Sequence, residues 1–227
     1  MTRPLALPPP PFPSLSRSLS RLVSNPIPST EKRLFQFATA ADLSQWRTFS
    51  DADVGGKSTA ELVANEKEPT TALFRGHYDT SIAEGAAAQL KRSGYAGITT
   101  KHFEDSLDVD DYDELTFRVL GDGNRYIASL RTENWVVGDD ACDDVWQAFL
   151  FARPGEWSDV SIPLSRFALT HRGRLVEAHM EMNRLRIRSF SLAVATPSRE
   201  AAGEYCLGLD WIEARNTTRL DSPWAQP

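Results

Sequence analysis

From Leu34 onward, apolar and polar residues alternate with a period of two over most of the chain, and no other feature constrains the fold as strongly. Successive side chains of a strand point to opposite sides, so this alternation marks strands with one buried and one wet face. Leu115, Phe117 and Val119 alternate with Thr116 and Arg118, and Tyr126 to Arg131 follows after a Gly121-Asp122-Gly123-Asn124 turn. That turn chemistry predicts a hairpin between the two runs. Trp146 to Phe151 and Trp157 to Ile162 make a second such pair around Arg153-Pro154-Gly155-Glu156. Leu185 to Val194 and Tyr205 to Ile212 make a third, around a loop holding Pro197 and Gly203. In that last pair the apolar parity moves from Leu185 and Ile187 to Phe190, Leu192 and Val194, so a bulge is expected near Arg188. Thr39, with Asp42 three residues on, predicts one short helix ending about Trp46. Residues 83–92 interrupt the pattern as an exposed loop or single helical turn. Many short strands with polar turns and little helix indicate an all-β fold, a β-sandwich or jelly roll.

With 227 residues, 41% of them hydrophobic, the chain can bury the core of one such domain. Its charge is unevenly placed. Residues 1–30 carry Arg3, Arg17 and Arg21 and no acid, so subtracting +3 from the net −6 leaves −9 on the rest. An acidic body argues against nucleic-acid binding, which relies on neutralising phosphates. Two cysteines, Cys142 and Cys206, do not make a disulfide framework. The leader holds a polyproline stretch, Pro8 to Pro11, followed by Leu15, Leu19 and Leu22 on one helical face and Arg17 and Arg21 opposite. An acid-poor, Arg- and Ser-rich amphipathic segment reads as an organelle transit peptide or a short docking helix, with a disordered tail as the plain alternative.

Gly56-Lys57-Ser58 looks like the end of a phosphate-binding loop, but that loop needs glycine where Asp51 stands, and a carboxylate there repels phosphate. His77, His102, His171 and His179 show no metal-binding spacing. The acidic run Asp105 to Glu114 fails as a calcium hand, because counting from Asp108 the sixth position is Asp113 and the twelfth is Val119. A solvated loop is expected there, with calcium held in a jelly-roll loop as the alternative. Trp46, Trp157 and Trp211 read as packing residues, and Trp135, before an acidic loop, as the exposed tryptophan, a candidate to stack on a sugar or to join a partner surface. Arg184, Arg186 and Arg188 alternate with Leu185 and Ile187, so three guanidinium groups are expected on one strand face. They serve either as a partner surface or in cross-strand pairs with acids.

Read together, the turn motifs resemble the complex I intermediate-associated protein 30 family. Its opening signature appears as Asp51-Ala52-Asp53-Val54-Gly55-Gly56-Lys57-Ser58, followed by Phe74-Arg75-Gly76 and Gly94-Tyr95-Ala96-Gly97-Ile98. The strongest element is Gly121-Asp122-Gly123-Asn124-Arg125-Tyr126, continuing through Leu130-Arg131-Thr132. Trp157, Ile162-Pro163-Leu164 and Phe167 follow, and Leu207 to Ala214 closes the series. The insert at 83–92, and Val54 in place of methionine or an aromatic, depart from the pattern.

The resemblance implies a galactose-binding-like jelly roll over residues 31–217, after the 1–30 leader and before a 218–227 tail. It implies no catalytic centre, and no cofactor or metal is expected from the residues. It also implies a scaffold that binds membrane-arm subunits or intermediates of NADH:ubiquinone oxidoreductase and fellow assembly factors. The expected place is the mitochondrial matrix, peripheral to inner-membrane lipids, with plastid relatives and a carbohydrate-binding module as the alternatives. On this reading Gly55-Gly56 makes a tight turn into the strand from Ser58, and Lys57 is incidental and exposed.

Overall fold

The computed structural model describes residues 29–81, 93–133, 143–171, 174–177, 180–195 and 202–220. Residues 1–28 of the leader, the 83–92 insert, Trp135, Cys142 and His179 lie outside them. Among the described residues, thirteen strands form two antiparallel sheets packed face to face. The first sheet contains β1 (Glu31–Gln36), β3 (Thr59–Ala64), β4 (Ala72–Asp79), β6 (Glu114–Leu120), β9 (Trp157–Pro163) and β13 (Ala202–Arg215). Its order is β3-β4-β13-β6-β9, with β1 paired to the second half of β13. The second sheet contains β2 (Trp46–Ser50), β5 (Ala96–Thr100), β7 (Arg125–Thr132), β8 (Asp144–Phe151), β10 (Ala168–His171), β11 (Arg174–Leu175) and β12 (Ile187–Ala195). It runs β11-β10-β8-β7-β12-β5-β2.

The alternation read from sequence is what fills the core. Phe74, Leu115, Phe117, Val119, Leu207 and Ile212 of the first sheet meet Ile98, Tyr126, Leu150 and Leu192 of the second, all fully buried. Removing such residues from water is the main force holding the sheets together. Thr39 and Asp42 form the expected capping box, with the Thr39 amide donating to Asp42 at 2.8 Å. The helix α1 (Ala40–Leu43) ends before Trp46, which begins β2 and is buried. The register shift expected near Arg188 lies between Ile187 and Ser189.

The three predicted hairpins do not form. β6 joins the first sheet and β7 the second, and the same split separates β8 from β9 and β12 from β13. The turns after β6 and β8 are arches that carry the chain from one sheet to the other. Consecutive strands do pair as β3 with β4 and β7 with β8. Either arrangement buries Phe117 and Tyr126 equally well, so side-chain alternation cannot choose between hairpin and arch.

Candidate functional site

The first signature turn begins as a 3-10 turn over Asp51–Val54 and is closed by Gly55 at φ 95°, a left-handed conformation suited to glycine. Gly56 is required for a different reason: a Cβ there would lie 2.2 Å from Cγ of Asp51. The Asp51 carboxylate is fully buried and accepts the amides of Ser58 at 2.8 Å and Gly94 at 2.5 Å, while its own amide donates to the Tyr95 carbonyl. The Ser58 hydroxyl, also buried, accepts the Asp79 amide at 3.1 Å. One carboxylate and one hydroxyl therefore tie β2, β3, β4 and β5 together across both sheets. Lys57 is exposed, as expected.

The second signature turn works the same way. Asp122 accepts the Asn124 amide and side-chain nitrogen, the Tyr126 hydroxyl at 2.8 Å and the Cys206 amide at 2.7 Å. β6 stops at Leu120, so Asp122 satisfies the β13 edge that β6 no longer covers. Gly123 sits at φ 93°, and a Cβ on Gly121 would meet the Arg153 carbonyl at 2.5 Å. Burial, then the Asp122 carboxylate, pushes the Tyr126 hydroxyl far above its ordinary pKa, so it stays a donor.

These residues border a shallow depression of about 570 Å³ on the outward face of the first sheet, lined among others by Glu61, Arg75, His77, Glu204 and Cys206. Its polar side chains are already partnered, Arg75 with Glu61 at 3.3 Å and His77 with Glu204 at 3.0 Å. Burial, reinforced by Asp122, raises the Cys206 thiol above its usual pKa, which keeps it protonated and a poor nucleophile. Further along this face the Trp157 ring lies over Gly208 and donates to Glu68 at 2.8 Å, and Arg33 stacks 4.2 Å from the Trp211 ring centroid. Trp46 is a core residue, but Trp157 and Trp211 are half-buried on the outer surface. The bulge between Leu209 and Trp211 turns the indole outward.

The expected arginine stripe is dismantled. Arg184 and Arg186 precede β12 in a turn. Arg184 donates to the Tyr112 carbonyl, Arg186 pairs with Glu133 at 3.3 Å, and Arg188 pairs with Asp143 at 3.3 Å. The acidic run is likewise not a simple solvated loop, because Val109 and Tyr112 are buried. Asp113 accepts the amide and hydroxyl of Thr217 at the start of α2 (Thr217–Leu220).

The fold and its signature turns define a jelly-roll β-sandwich of the galactose-binding-like class. A TM-score of 0.56 relates it to the family 11 carbohydrate-binding module of a Clostridium thermocellum cellulosomal cellulase, over 82% of this chain and 94% of that one. At 17% identity this likeness is one of fold alone. Residues 35–209 match the family model for Complex I intermediate-associated protein 30 (CIA30), and the chain belongs to that family.

Among relatives, it is 30% identical over 187 residues to Complex I intermediate-associated protein 30, mitochondrial, of Drosophila melanogaster, covering 79% of this chain and 61% of that protein. The Neurospora crassa protein of the same name is 29% identical over 213 residues, with 82% and 73% covered. The chain thus spans less than two thirds of the fly protein's length.

Proposed function

We propose that this protein is a non-catalytic assembly factor for respiratory complex I in mitochondria, holding membrane-arm intermediates from the matrix side of the inner membrane. The family match over residues 35–209, with curated relatives named as mitochondrial complex I intermediate-associated proteins, carries the reading. The chemistry of the turns supports it. Asp51, Ser58, Asp122 and Tyr126 spend their polar groups on joining the two sheets, and Cys206 stays a thiol. Such an arrangement makes a rigid frame that works through its surfaces. Among the described residues no helix is long and apolar enough to cross a membrane.

Blue-native separation of detergent-solubilised mitochondria, followed by mass spectrometry, tests the proposal. The chain is expected to migrate with incomplete complex I and to be absent from the finished enzyme. Migration as a free species, with complex I assembly intact after deletion, would overturn it.

A further inference from the structure

The outward face of the second sheet differs in chemistry from the rest of this acidic molecule. Strand register places Phe149, Ile127, Ala193, Gly97 and Phe49 in one row across five strands. Phe149 and Phe151 are 54% and 61% exposed, with ring centroids 5.8 Å apart. At the other end the Phe49 ring covers Gly97, where a Cβ would lie 2.3 Å from it. Arg125 and Arg131 point outward from β7 and Arg47 from β2, and none of their side chains makes a hydrogen bond or ion pair with a described residue. The residues that face outward on β2, β5, β7, β8, β10 and β12 include no acid. Between the two aromatic ends, β12 and β5 carry only small residues on this side, Ser189, Ser191, Ala193, Gly97 and Thr99, and Ser189, Ser191 and Thr99 are buried among their neighbours, so the accessible groups of this face are its rings and arginines.

We propose that this face docks an acidic amphipathic helix of a partner protein. The partner's apolar stripe would lie between Phe149 and Phe49, and its carboxylates would meet Arg47, Arg125 and Arg131. The proposal rests on the scaffold reading only for the place where the partner is sought. Strands about 4.8 Å apart put β7 and β2 about 14 Å from each other, room for one helix about 10–12 Å across. Unpaired arginines beside exposed aromatic rings are the composition of a protein interface, and their fork geometry suits carboxylates.

Other occupants fit less well. The chain's own leader carries Arg17 and Arg21 without an acid, the same sign as the face. A second copy docked through the same face would set arginine against arginine. Three arginines, at about 1 kcal/mol each on an anionic membrane, hold a chain of net charge −6 weakly.

The test places a photo-crosslinking phenylalanine analogue at position 149 of the full chain in intact mitochondria, with a control at position 61 on the opposite face, and sequences the adduct. An adduct at 149, absent at 61, on a helical segment with an apolar stripe flanked by Asp or Glu is expected. Its yield should fall at least about tenfold in an Arg125→Glu/Arg131→Glu variant. A lipid adduct, an adduct on a basic segment, no adduct beyond the control, or an adduct indifferent to the charge reversal would each overturn the proposal. Complex I assembly measured in Phe149→Asp/Phe151→Asp cells separates the two readings. Normal assembly there, with assembly lost on deletion, refutes the docking face and spares the scaffold role. Normal assembly after deletion refutes the scaffold role itself.

Discussion

On the outward face of the first sheet, Arg33 meets Glu213, Arg75 meets Glu61, Arg118 meets Asp159 and His77 meets Glu204, all within 3.3 Å. On the second sheet, Arg47, Arg125 and Arg131 face outward with no such partner among the described residues. The tryptophans of the first face are also engaged, Trp157 by Glu68 and Trp211 by Arg33. The second face leaves Phe149 and Phe151 largely bare. A surface whose charges are neutralised in place gains little from a charged partner, whereas one with unpaired cations and exposed rings gains both ion pairs and burial. The same core thus supports one face satisfied within the chain and one that another molecule could complete.

The frame common to both faces offers the largest effect. Asp51→Ala leaves the buried amides of Ser58 and Gly94 without their acceptor. At about 1–3 kcal/mol for each orphaned donor, we expect a loss of about 3–5 kcal/mol by urea denaturation. A loss below about 1 kcal/mol would show that the turn does not lock the sheets. Next comes Trp157→Ala, which uncovers Gly208 and strips Glu68 of its donor. The expected cost is about 1–2 kcal/mol in thermal or chemical unfolding, without effect on crosslinking from position 149.

Phe149→Ser should sharpen the contrast by doing the reverse. A ring more than half exposed in the isolated chain contributes little to folding, so stability should stay within about 0.5 kcal/mol while partner capture is lost. Substantial unfolding by this substitution would mean that the ring is a structural part of the sheet.

The smallest effect concerns Asp210, on the crowded first face. Burial, helped by Asp159 and Glu68, raises its pKa despite Arg33 and Arg118. A carboxyl with a raised folded-state pKa favours the fold below its unfolded value, and that contribution is lost as pH rises through the folded value. Asp210→Asn should therefore raise Tm slightly at pH 7, by no more than about 2 °C, with the gain vanishing in acid below about pH 4. A fall in Tm at neutral pH would show that the ionised carboxylate is favoured where it stands.

Features governed by near neighbours were legible in the sequence. The Thr39–Asp42 cap spans three residues and formed as read. The parity break around Arg188 reports directly on which side chains face the core, and the register shifts there. Asp51, Gly56 and Ser58 stood out as a motif, although the close approach of Gly56 to Asp51 had to be seen to be explained.

What failed depended on distant partners. The connection between β6 and β7 reads as a hairpin because Gly121 to Asn124 has hairpin chemistry, yet Asp122 spends its carboxylate on Cys206, 84 residues away. Arg184, Arg186 and Arg188 read as one stripe, yet their acceptors come from segments 72, 53 and 45 residues distant. Arg47, Arg125 and Arg131 carried no signal as a group, because they share a face only once β2, β5, β12 and β7 are placed in register.

The sequence by itself determined that this chain is a two-layered β protein of one family, since alternation and turn residues act over a few positions and strand geometry turns them directly into faces. Only the tertiary structure decided which sheet each strand joins, which charges are spent inside the molecule and which remain. Those outcomes depend on contacts between residues far apart in the chain, and apolar alternation is indifferent to them.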